Sequence, residues 1–241
     1  MCGIIGYIGD QNATSVLVEG LKRLEYRGYD SAGIALIQNG QIEVRRSVGK
    51  LANLEQTLHQ EDLFGNVGIG HTRWATHGKP SEQNAHPHRS GNVVVVHNGI
   101  IENYLTLRQQ LQNEGYRFES ETDTEVIAHL LALHMKKKGK ALHSAFQSVI
   151  RELHGSYAIA GICIDEPGTL VAARSGCPLV IGSDGKASYL ASDVTPLLPH
   201  TKEVIFLEDG DVVVLSPLCI KITGVEGRSV VRETVTIDWN A

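Results

Sequence analysis

The sequence has few of the features that mark secreted, membrane-bound or nucleic-acid-binding proteins. Its 241 residues include only four cysteines, none in a C-x-x-C pair, so neither a disulfide framework nor a thiolate zinc site is expected. No stretch approaches the ~18 consecutive apolar residues of a membrane span, and the start lacks the pattern of a signal peptide. The net charge of -5 provides no overall attraction to nucleic acid or anionic lipid. We therefore expect a cytoplasmic protein with no nucleic-acid partner and no membrane partner.

Apolar residues are present in sufficient number for a sizeable core, at 42% of the chain. Residues 2–8 are typical of a short apolar strand, and Asn12 is placed to cap a helix that should end near Gly28. Asn39-Gly40, between two apolar stretches, predicts a hairpin with a type I′ turn. Helical spacing follows over residues 103–113, 124–138 and 142–153, and strand patterns dominate from Tyr157 onward.

This order of elements predicts the fold class. Strands, then helices, then strands again favour an α+β domain of two mainly antiparallel sheets that face each other, with helices on the outside. The run Val93 to Val96 is apolar at every position, which is typical of a strand buried on both faces. It leads directly into His97-Asn98-Gly99. We expect residues 1–241 to form a single domain.

Cys2 is the first candidate for chemistry. If Met1 is removed, Cys2 carries both a thiol and a free α-amine. An α-amino group titrates near ~7.7–8.0 whereas a lysine amine titrates near ~10.4, so the terminal amine is substantially neutral around pH 7. A neutral amine can accept the proton of the thiol, directly or through one water. The alternative is a small cysteine buried in an apolar strand.

A polar segment follows the predicted strand that ends at His71. Arg73 is suited to a carboxylate because its guanidinium offers paired donors in one plane, and a structural ion pair is the alternative. Trp74 is a candidate lid residue or a surface-packed side chain. Five histidines lie nearby, but their spacings match no recognised zinc site, so no metal is expected and hydrogen bonding in the core or in a loop is favoured. These histidines are His71, His77, His86, His88 and His97.

Two further motifs flank the predicted helices. Asn98 and Gly99 follow a buried strand and could supply a side-chain amide and an unobstructed backbone N–H to an oxyanion, with an Asn-Gly turn as the alternative. Thr122 and Glu125 fit a capping box. In that arrangement Asp123 is free either to receive an ammonium group or to complement the helix dipole, and spacing alone does not choose between these roles.

Together these stretches resemble the glutaminase domains of the glutamine–fructose-6-phosphate aminotransferases, in the wider class of N-terminal-nucleophile glutamine amidotransferases. The resemblance runs nearly end to end, and blocks of such length are specific. The matching blocks are Cys2 to Gly6, Arg23 to Gly33, His71 to Gly78, Asn84 to His88, His97 to Asn103 and Ser120 to Leu130.

The resemblance implies a four-layer αββα fold and the hydrolysis of L-glutamine to glutamate and ammonia, without a metal or organic cofactor. It implies that Cys2 attacks the side-chain amide and that Asn98 and Gly99 hold the oxyanion. Arg73 would bind the α-carboxylate of glutamine and Asp123 the α-ammonium. The remaining implied site residues are Trp74, Thr76 and His77, in a loop that closes over glutamine, and Arg27, which would orient the amine.

The family's full-length enzymes carry a sugar-phosphate isomerase region that binds fructose 6-phosphate, and the resemblance implies that the full-length enzyme is a homodimer. The expectation is that the present chain is the glutaminase half, without that C-terminal region. Two alternatives stay open. One is an amidotransferase glutaminase with a different acceptor, and the other is a catalytically silent regulatory or binding module.

Overall fold

A computed structural model describes residues 2–60, 63–75 and 77–238. Within these ranges no helix combines the length and the apolar character needed to cross a membrane. The helices are α1 Ala13–Lys22, α2 Leu51–Leu58, α3 Tyr104–Asn113, α4 Glu125–Lys138 and α5 Leu142–Ile150. The strands are β1 Gly3–Ile8, β2 Ser31–Gln38, β3 Gln41–Val48, β4 Val67–Arg73, β5 His88–Ser90, β6 Val93–Ile101, β7 Gly155–Cys163, β8 Leu170–Ser175, β9 Val180–Ser183, β10 Ser188–Ala191, β11 Glu203–Phe206, β12 Asp211–Ser216, β13 Cys219–Gly224 and β14 Val235–Thr236.

The strands form two sheets. The first contains eight strands in the order β14-β11-β9-β10-β1-β4-β2-β3, and the second contains six in the order β13-β12-β8-β7-β6-β5. Neighbouring strands in both sheets pair antiparallel. The predicted α+β class with two antiparallel sheets is confirmed.

Three apolar clusters separate four layers. One cluster packs α1 and α2 on the outer face of the first sheet, through side chains such as Leu17 and Leu54. A second cluster fills the space between the sheets. The third packs α3, α4 and α5 on the outer face of the second sheet, around Phe146. The order of layers is therefore helix, sheet, sheet, helix, as the αββα expectation required.

The first four residues of β6 are valines, and the structure explains why all four positions are apolar. Val94 and Val96 belong to the cluster between the sheets, whereas Val93 and Val95 belong to the cluster under the helices. Successive side chains of a strand point to opposite faces. Because both faces of β6 are covered, all four positions are apolar, as predicted.

The predicted helix cap and hairpin turn near the start of the chain are confirmed, but the first helix ends earlier than predicted. The Asn12 side chain accepts a hydrogen bond from Thr14 N at 3.1 Å and caps α1. The helix ends at Lys22, and a separate 3₁₀ helix, Glu25–Arg27, continues to Gly28. Asn39 and Gly40 have φ values of 51° and 73°, as a type I′ hairpin turn requires.

Two strands were not predicted. Both β5 and β10 are short, and in each a serine stands at a buried position that the strand pattern expects to be apolar. The reason is visible at Ser188, whose hydroxyl donates to Ser216 O at 2.7 Å, because a partnered hydroxyl can be buried at little cost. Residues 230–237 have a strand pattern in the sequence, but the observed strand is shorter, since only Val235–Thr236 pairs with the sheet.

The layer assignment predicts the stability of two phenylalanine variants. Phe146 is 1% exposed and packs between α5 and the second sheet, whereas Phe64 is 51% exposed. Phe146→Ala is expected to lower the free energy of unfolding by about 3–5 kcal/mol, through lost burial and a residual cavity. The matched control Phe64→Ala should cost about 1 kcal/mol or less. Urea titration measures both, and equal costs would contradict the packed helical layer.

Candidate active site

The pairing of β1 with β4 creates one half of the site. In this ladder Gly3 lies opposite Thr72, so Cys2, just before β1, meets the end of β4. The Cys2 Sγ accepts a hydrogen bond from Trp74 N at 3.2 Å and donates one to Trp74 O at 3.5 Å. A contact between residues 72 positions apart is thus produced by sheet register.

Burial raises the pKa of the Cys2 thiol, against the opposing effects of the Trp74 N–H and the Arg73 charge. The thiol is therefore held in its neutral form at neutral pH. Because the thiolate is the nucleophilic form, reaction at this sulfur needs a base to remove the proton.

The second sheet supplies the opposite wall through residues of β6. Asn98 Nδ2 donates to Cys2 O at 3.2 Å, a contact that crosses from one sheet to the other. Both Asn98 and Gly99 lie inside β6 and pair with β7. The alternative of an Asn-Gly turn is therefore wrong, and the amide side chain is presented from a rigid strand.

Gly99 is required by its neighbouring strand. Its φ is +121°, and a Cβ at this position would lie 2.0 Å from Ser156 O and 2.8 Å from Ser156 C. Side chains rarely adopt this backbone conformation, and the clash is with backbone that cannot turn away. The glycine was expected to allow the approach of a ligand, and the structure shows a second reason in the packing of β7.

Arg73 is the last residue of β4 and is 4% exposed. Its Nη2 donates to the carbonyl oxygens of His77 and Gly78, which ties the following loop to the strand. Its Nη1 lies 4.0 Å from Asp30 Oδ1 and has no hydrogen-bond partner among the described residues. A buried guanidinium nitrogen without a partner is suited to a ligand oxygen.

Asp123 lies beside the same wall. Its Oδ2 accepts a hydrogen bond from Ile101 N at 2.8 Å, and the residue is 4% exposed.

The predicted capping box of Thr122 and Glu125 is wrong. The Glu125 carboxylate accepts from Glu119 N and Ser120 N, not from Thr122. The Thr122 hydroxyl instead pairs with His88 Nε2 at 3.1 Å, because a buried imidazole is within reach.

These side chains surround a small cavity of about 20 Å³, lined by Cys2, Arg73, Trp74, His77, His86, His97, Gly99, Thr122, Asp123 and Thr124. That volume admits about one water molecule, since a water needs roughly 10–15 Å³ of this measure. In this structure the site is too small for a molecule of several heavy atoms. A larger ligand can enter only if part of the lining moves, and Trp74, at 55% exposure, is the lining residue with the most freedom to do so.

The structure brings most of the predicted site residues together. Asn98 does not line the cavity but donates a hydrogen bond to Cys2 O, and Thr76 lies outside the described residues. Arg27 does not line the cavity. Its Nη1 donates to Ser192 Oγ at 3.1 Å, and that oxygen accepts from Ile4 N at 3.0 Å, so Arg27 supports the start of β1.

The histidines make buried hydrogen bonds, as expected, but their partners were not predicted. His86 and His97 line the cavity, and the rings of His71 and His86 pack against each other with centroids 4.0 Å apart and planes tilted by 35°. Burial lowers the pKa of each of these three histidines. Their closeness in sequence to Arg73, Asn98 and Gly99 was the available signal for a place beside the site. No cluster of three or more potential metal ligands occurs in the described ranges.

A cysteine held between two sheets, near an amide donor, a buried guanidinium and a carboxylate, makes this a candidate thiol-dependent site. Residues 71–199, more than half of the chain, match the family described as "Glutamine amidotransferase domain". The chain belongs to this glutamine amidotransferase family.

Among curated relatives, the chain is similar to proteins named glutamine–fructose-6-phosphate aminotransferase (isomerizing). The protein from Methanosarcina acetivorans is 50% identical over 250 residues, which cover 100% of this chain and 40% of that protein. The protein from Thermus thermophilus is 50% identical over 241 residues, covering 99% of this chain and 39% of that protein. The chain thus spans about 40% of the length of these relatives.

Solved structures agree with the fold. The glutamine phosphoribosylpyrophosphate amidotransferase from B. subtilis, complexed with ADP and GMP, has a TM-score of 0.78 and 27% identity, and covers 93% of this chain and 49% of that one. A structure described as the allosteric regulatory enzyme of purine biosynthesis has a TM-score of 0.79 and 28% identity, with the same coverage.

The geometry at Gly99 predicts an unequal effect of two glycine substitutions. Gly99→Ala is expected to lower the free energy of unfolding by more than about 3 kcal/mol, because positive φ and a backbone clash combine. Gly91→Ala is the matched control, since Gly91 also has positive φ, +56°, but nothing within 4 Å of its Cβ position. Its cost should be about 1–2 kcal/mol. Equal costs in urea unfolding would show that Ser156 does not close this position.

Proposed function

We propose that residues 1–241 act as one glutaminase domain that hydrolyses L-glutamine to glutamate and ammonia through a thioester on Cys2. The observation that carries this proposal is the placement of the Cys2 thiol, the Arg73 guanidinium and the Asp123 carboxylate around one small cavity, with the Asn98 amide bonded to Cys2 O. Membership of the glutamine amidotransferase family supports the substrate.

In the first step the Cys2 sulfur attacks the side-chain carbonyl carbon of glutamine. Removal of Met1 would leave an α-amine on Cys2 itself, and this amine takes the thiol proton. Such a base is needed because burial raises the pKa of the thiol. The carbonyl oxygen becomes an oxyanion, which receives hydrogen bonds from Asn98 Nδ2 and from the Gly99 N–H.

The intermediate then collapses. The bond between carbon and the amide nitrogen breaks, the α-ammonium of Cys2 returns its proton to the departing nitrogen, and ammonia leaves. Water, deprotonated by the same amine, attacks the thioester and releases glutamate and the thiol. Both steps are acyl transfers, so the proposed chemistry requires neither a metal nor an organic cofactor.

Recognition of the rest of glutamine is assigned to the two buried charges. Arg73, with an unpartnered Nη1, binds the α-carboxylate, and Asp123 binds the α-ammonium. Trp74, Thr76 and His77 form the loop that closes over the substrate. The contact of the Trp74 backbone with Cys2 Sγ supports this assignment. Arg27 acts from a distance, through Ser192 and the start of β1, on the orientation of the Cys2 amine.

The names of the relatives suggest the larger role. We propose that this chain supplies ammonia within an enzyme that also carries a sugar-phosphate isomerase region, where fructose 6-phosphate is converted to glucosamine 6-phosphate. The relatives extend well beyond the matched residues, which leaves room for such a region. The full-length enzyme is proposed to be a homodimer. A different acceptor, like that named for the B. subtilis neighbour, is the second candidate, and the acceptor activity of the full-length protein distinguishes the two.

The Cys2 mechanism predicts complete dependence on the processed N-terminus. The intact mass of active protein should lack Met1, and an electrophilic glutamine analogue should add to the N-terminal peptide. Cys2→Ala should abolish glutamate release in a coupled glutamate assay. Material that retains Met1 should also be inactive, because the nitrogen of Cys2 is then an amide without useful basicity.

Cys219→Ser is the matched control, since this exposed cysteine lies away from the cavity, and it should keep full activity. Glutamate release by Cys2→Ala, with labelling at another cysteine, would refute the mechanism. Glutamine binding that depends on Arg73 but never leads to turnover would indicate a silent binding module.

The charge assignments predict a crossed pattern with two truncated substrates. Arg73→Gln should lower kcat/KM for glutamine by about thirtyfold or more, which corresponds to the ~2 kcal/mol expected for a broken buried charge pair. It should have a much smaller effect on 4-aminobutanamide, which lacks the carboxylate. Asp123→Asn should behave in the opposite way, with a small effect only on glutaric acid monoamide, which lacks the ammonium.

Each variant serves as the control for the other. Arg73 also holds the carbonyl oxygens of His77 and Gly78, and a loss of that contact would weaken both truncated substrates equally. Equal losses on all substrates would therefore contradict carboxylate recognition by Arg73 and assign it to the loop alone.

A further inference from the structure

A buried hydrogen bond between the two sheets involves a histidine to which no role has been given. His71 lies on β4 in the first sheet, and its Nε2 lies 3.0 Å from Asn98 Oδ1 and 3.0 Å from His97 O, both on β6 in the second sheet. His71 is 0% exposed and does not line the cavity. The bond lies directly behind the amide that faces Cys2.

The neighbouring groups determine which nitrogen of His71 carries the proton. The carbonyl oxygen of His97 can only accept a hydrogen bond, so the Nε2 between the two oxygens must be protonated. Burial lowers the pKa of His71 to about 3, with the bond to Asn98 acting in the opposite direction. The ring is therefore neutral at physiological pH and is a single tautomer with its donor toward β6.

The same donor determines the orientation of the Asn98 amide. Oδ1 must face His71 Nε2, so Nδ2 faces Cys2 O, to which it donates at 3.2 Å. An amide nitrogen carries two hydrogens, and Cys2 O uses one of them. The second remains for the site. The His71 ring packs against the ring of His86, with centroids 4.0 Å apart and planes tilted by 35°, and His86 Nδ1 accepts from His97 N at 3.4 Å.

On the basis of the proposed glutaminase function, we propose that His71 is a positioning residue that acts through Asn98. Its Nε2–H holds Asn98 Oδ1 and thereby directs an Asn98 Nδ2–H toward the oxyanion formed from the substrate amide. Without this donor, Oδ1 is a buried acceptor with no partner, which favours rotation of the amide away from its aligned position. The expected loss is in the transition state, where the oxyanion exists, and not in glutamine binding.

The test compares three substitutions in the processed chain. His71→Leu removes the donor and should lower kcat about tenfold to hundredfold, a part of the ~10²–10³ associated with one oxyanion donor, with KM for glutamine nearly unchanged. His71→Gln places an amide nitrogen at the same number of bonds from the backbone as Nε2 and should recover most of kcat. His71→Asn is polar but too short to reach Oδ1, so it should resemble His71→Leu and serves in its place if that variant does not fold.

A second background separates positioning from general damage. In Asn98→Ala, the further change His71→Leu should cause little additional loss of kcat, because the group through which His71 acts is gone. His134→Leu is the matched control, since His134 is 2% exposed and its partner Glu152 lies outside the cavity lining. It should keep the wild-type kcat.

The His71–Asn98 contact is also measured without turnover. In a ¹H–¹⁵N spectrum the Asn98 side-chain amide should exchange slowly with solvent in the wild type and in His71→Gln, and faster in His71→Leu. Full kcat in His71→Leu, or an equal additional loss in the Asn98→Ala background, would overturn the proposal. Absence of turnover in the wild type would refute the glutaminase function itself. In that case unchanged amide exchange in His71→Leu would overturn the positioning role and faster exchange would support it.

Discussion

The site depends on the alignment of two separate sheets at one end. Cys2 lies just before β1 and Arg73 ends β4, both in the first sheet. Asn98 and Gly99 lie in β6 of the second sheet, and Asp123 accepts a hydrogen bond from Ile101 N of the same strand. The apolar core between the sheets is large, but burial of apolar area has no preferred direction and does not specify a relative shift of an ångström. Hydrogen bonds do have direction, and two of them, at Cys2 O and at His71 Nε2, use the same Asn98 amide. This amide therefore aligns the proposed nucleophile with the proposed oxyanion donors.

Polar contacts of the residues that follow β4 keep the cavity small. The Cys2 sulfur is engaged by the Trp74 backbone, and the Arg73 guanidinium is engaged by the carbonyl oxygens that follow it. Asp30 adds a further contact by accepting from Ala75 N. In this state the loop engages the Cys2 sulfur and Arg73 Nη2, while Arg73 Nη1 has no hydrogen-bond partner among the described residues. Binding of the proposed substrate would give Nη1 a partner and would exchange internal hydrogen bonds for hydrogen bonds to the ligand.

Much of the site was predictable because its residues adjoin strongly patterned strands. The valine run before Asn98 and the short strand after Cys2 marked both positions, and antiparallel pairing in two facing sheets can bring such segments together. The structure differs in that β6 continues through Asn98 to Ile101, because its pairing with β7 does. The capping box failed because Glu125 is buried, and there the backbone N–H groups of Glu119 and Ser120 are better partners than the Thr122 N–H. Hydrogen bonding by the histidines was expected, but the partner of His71 could not be predicted, because it lies on another sheet.

The sequence by itself determined the layered α+β fold, most of its helices and strands, and the chemical groups available near them, because local periodicity and turn residues specify elements and their buried faces. The requirement for glycine at position 99 comes from the pairing of β6 with β7, which belongs to the tertiary structure. The tertiary structure alone decided which groups meet: Arg27 with Ser192, His71 with Asn98, and the Cys2 thiol with the Trp74 backbone. The physical reason is that hydrogen bonds between distant segments depend on distances of a few tenths of an ångström, and these distances are set only when the two sheets pack.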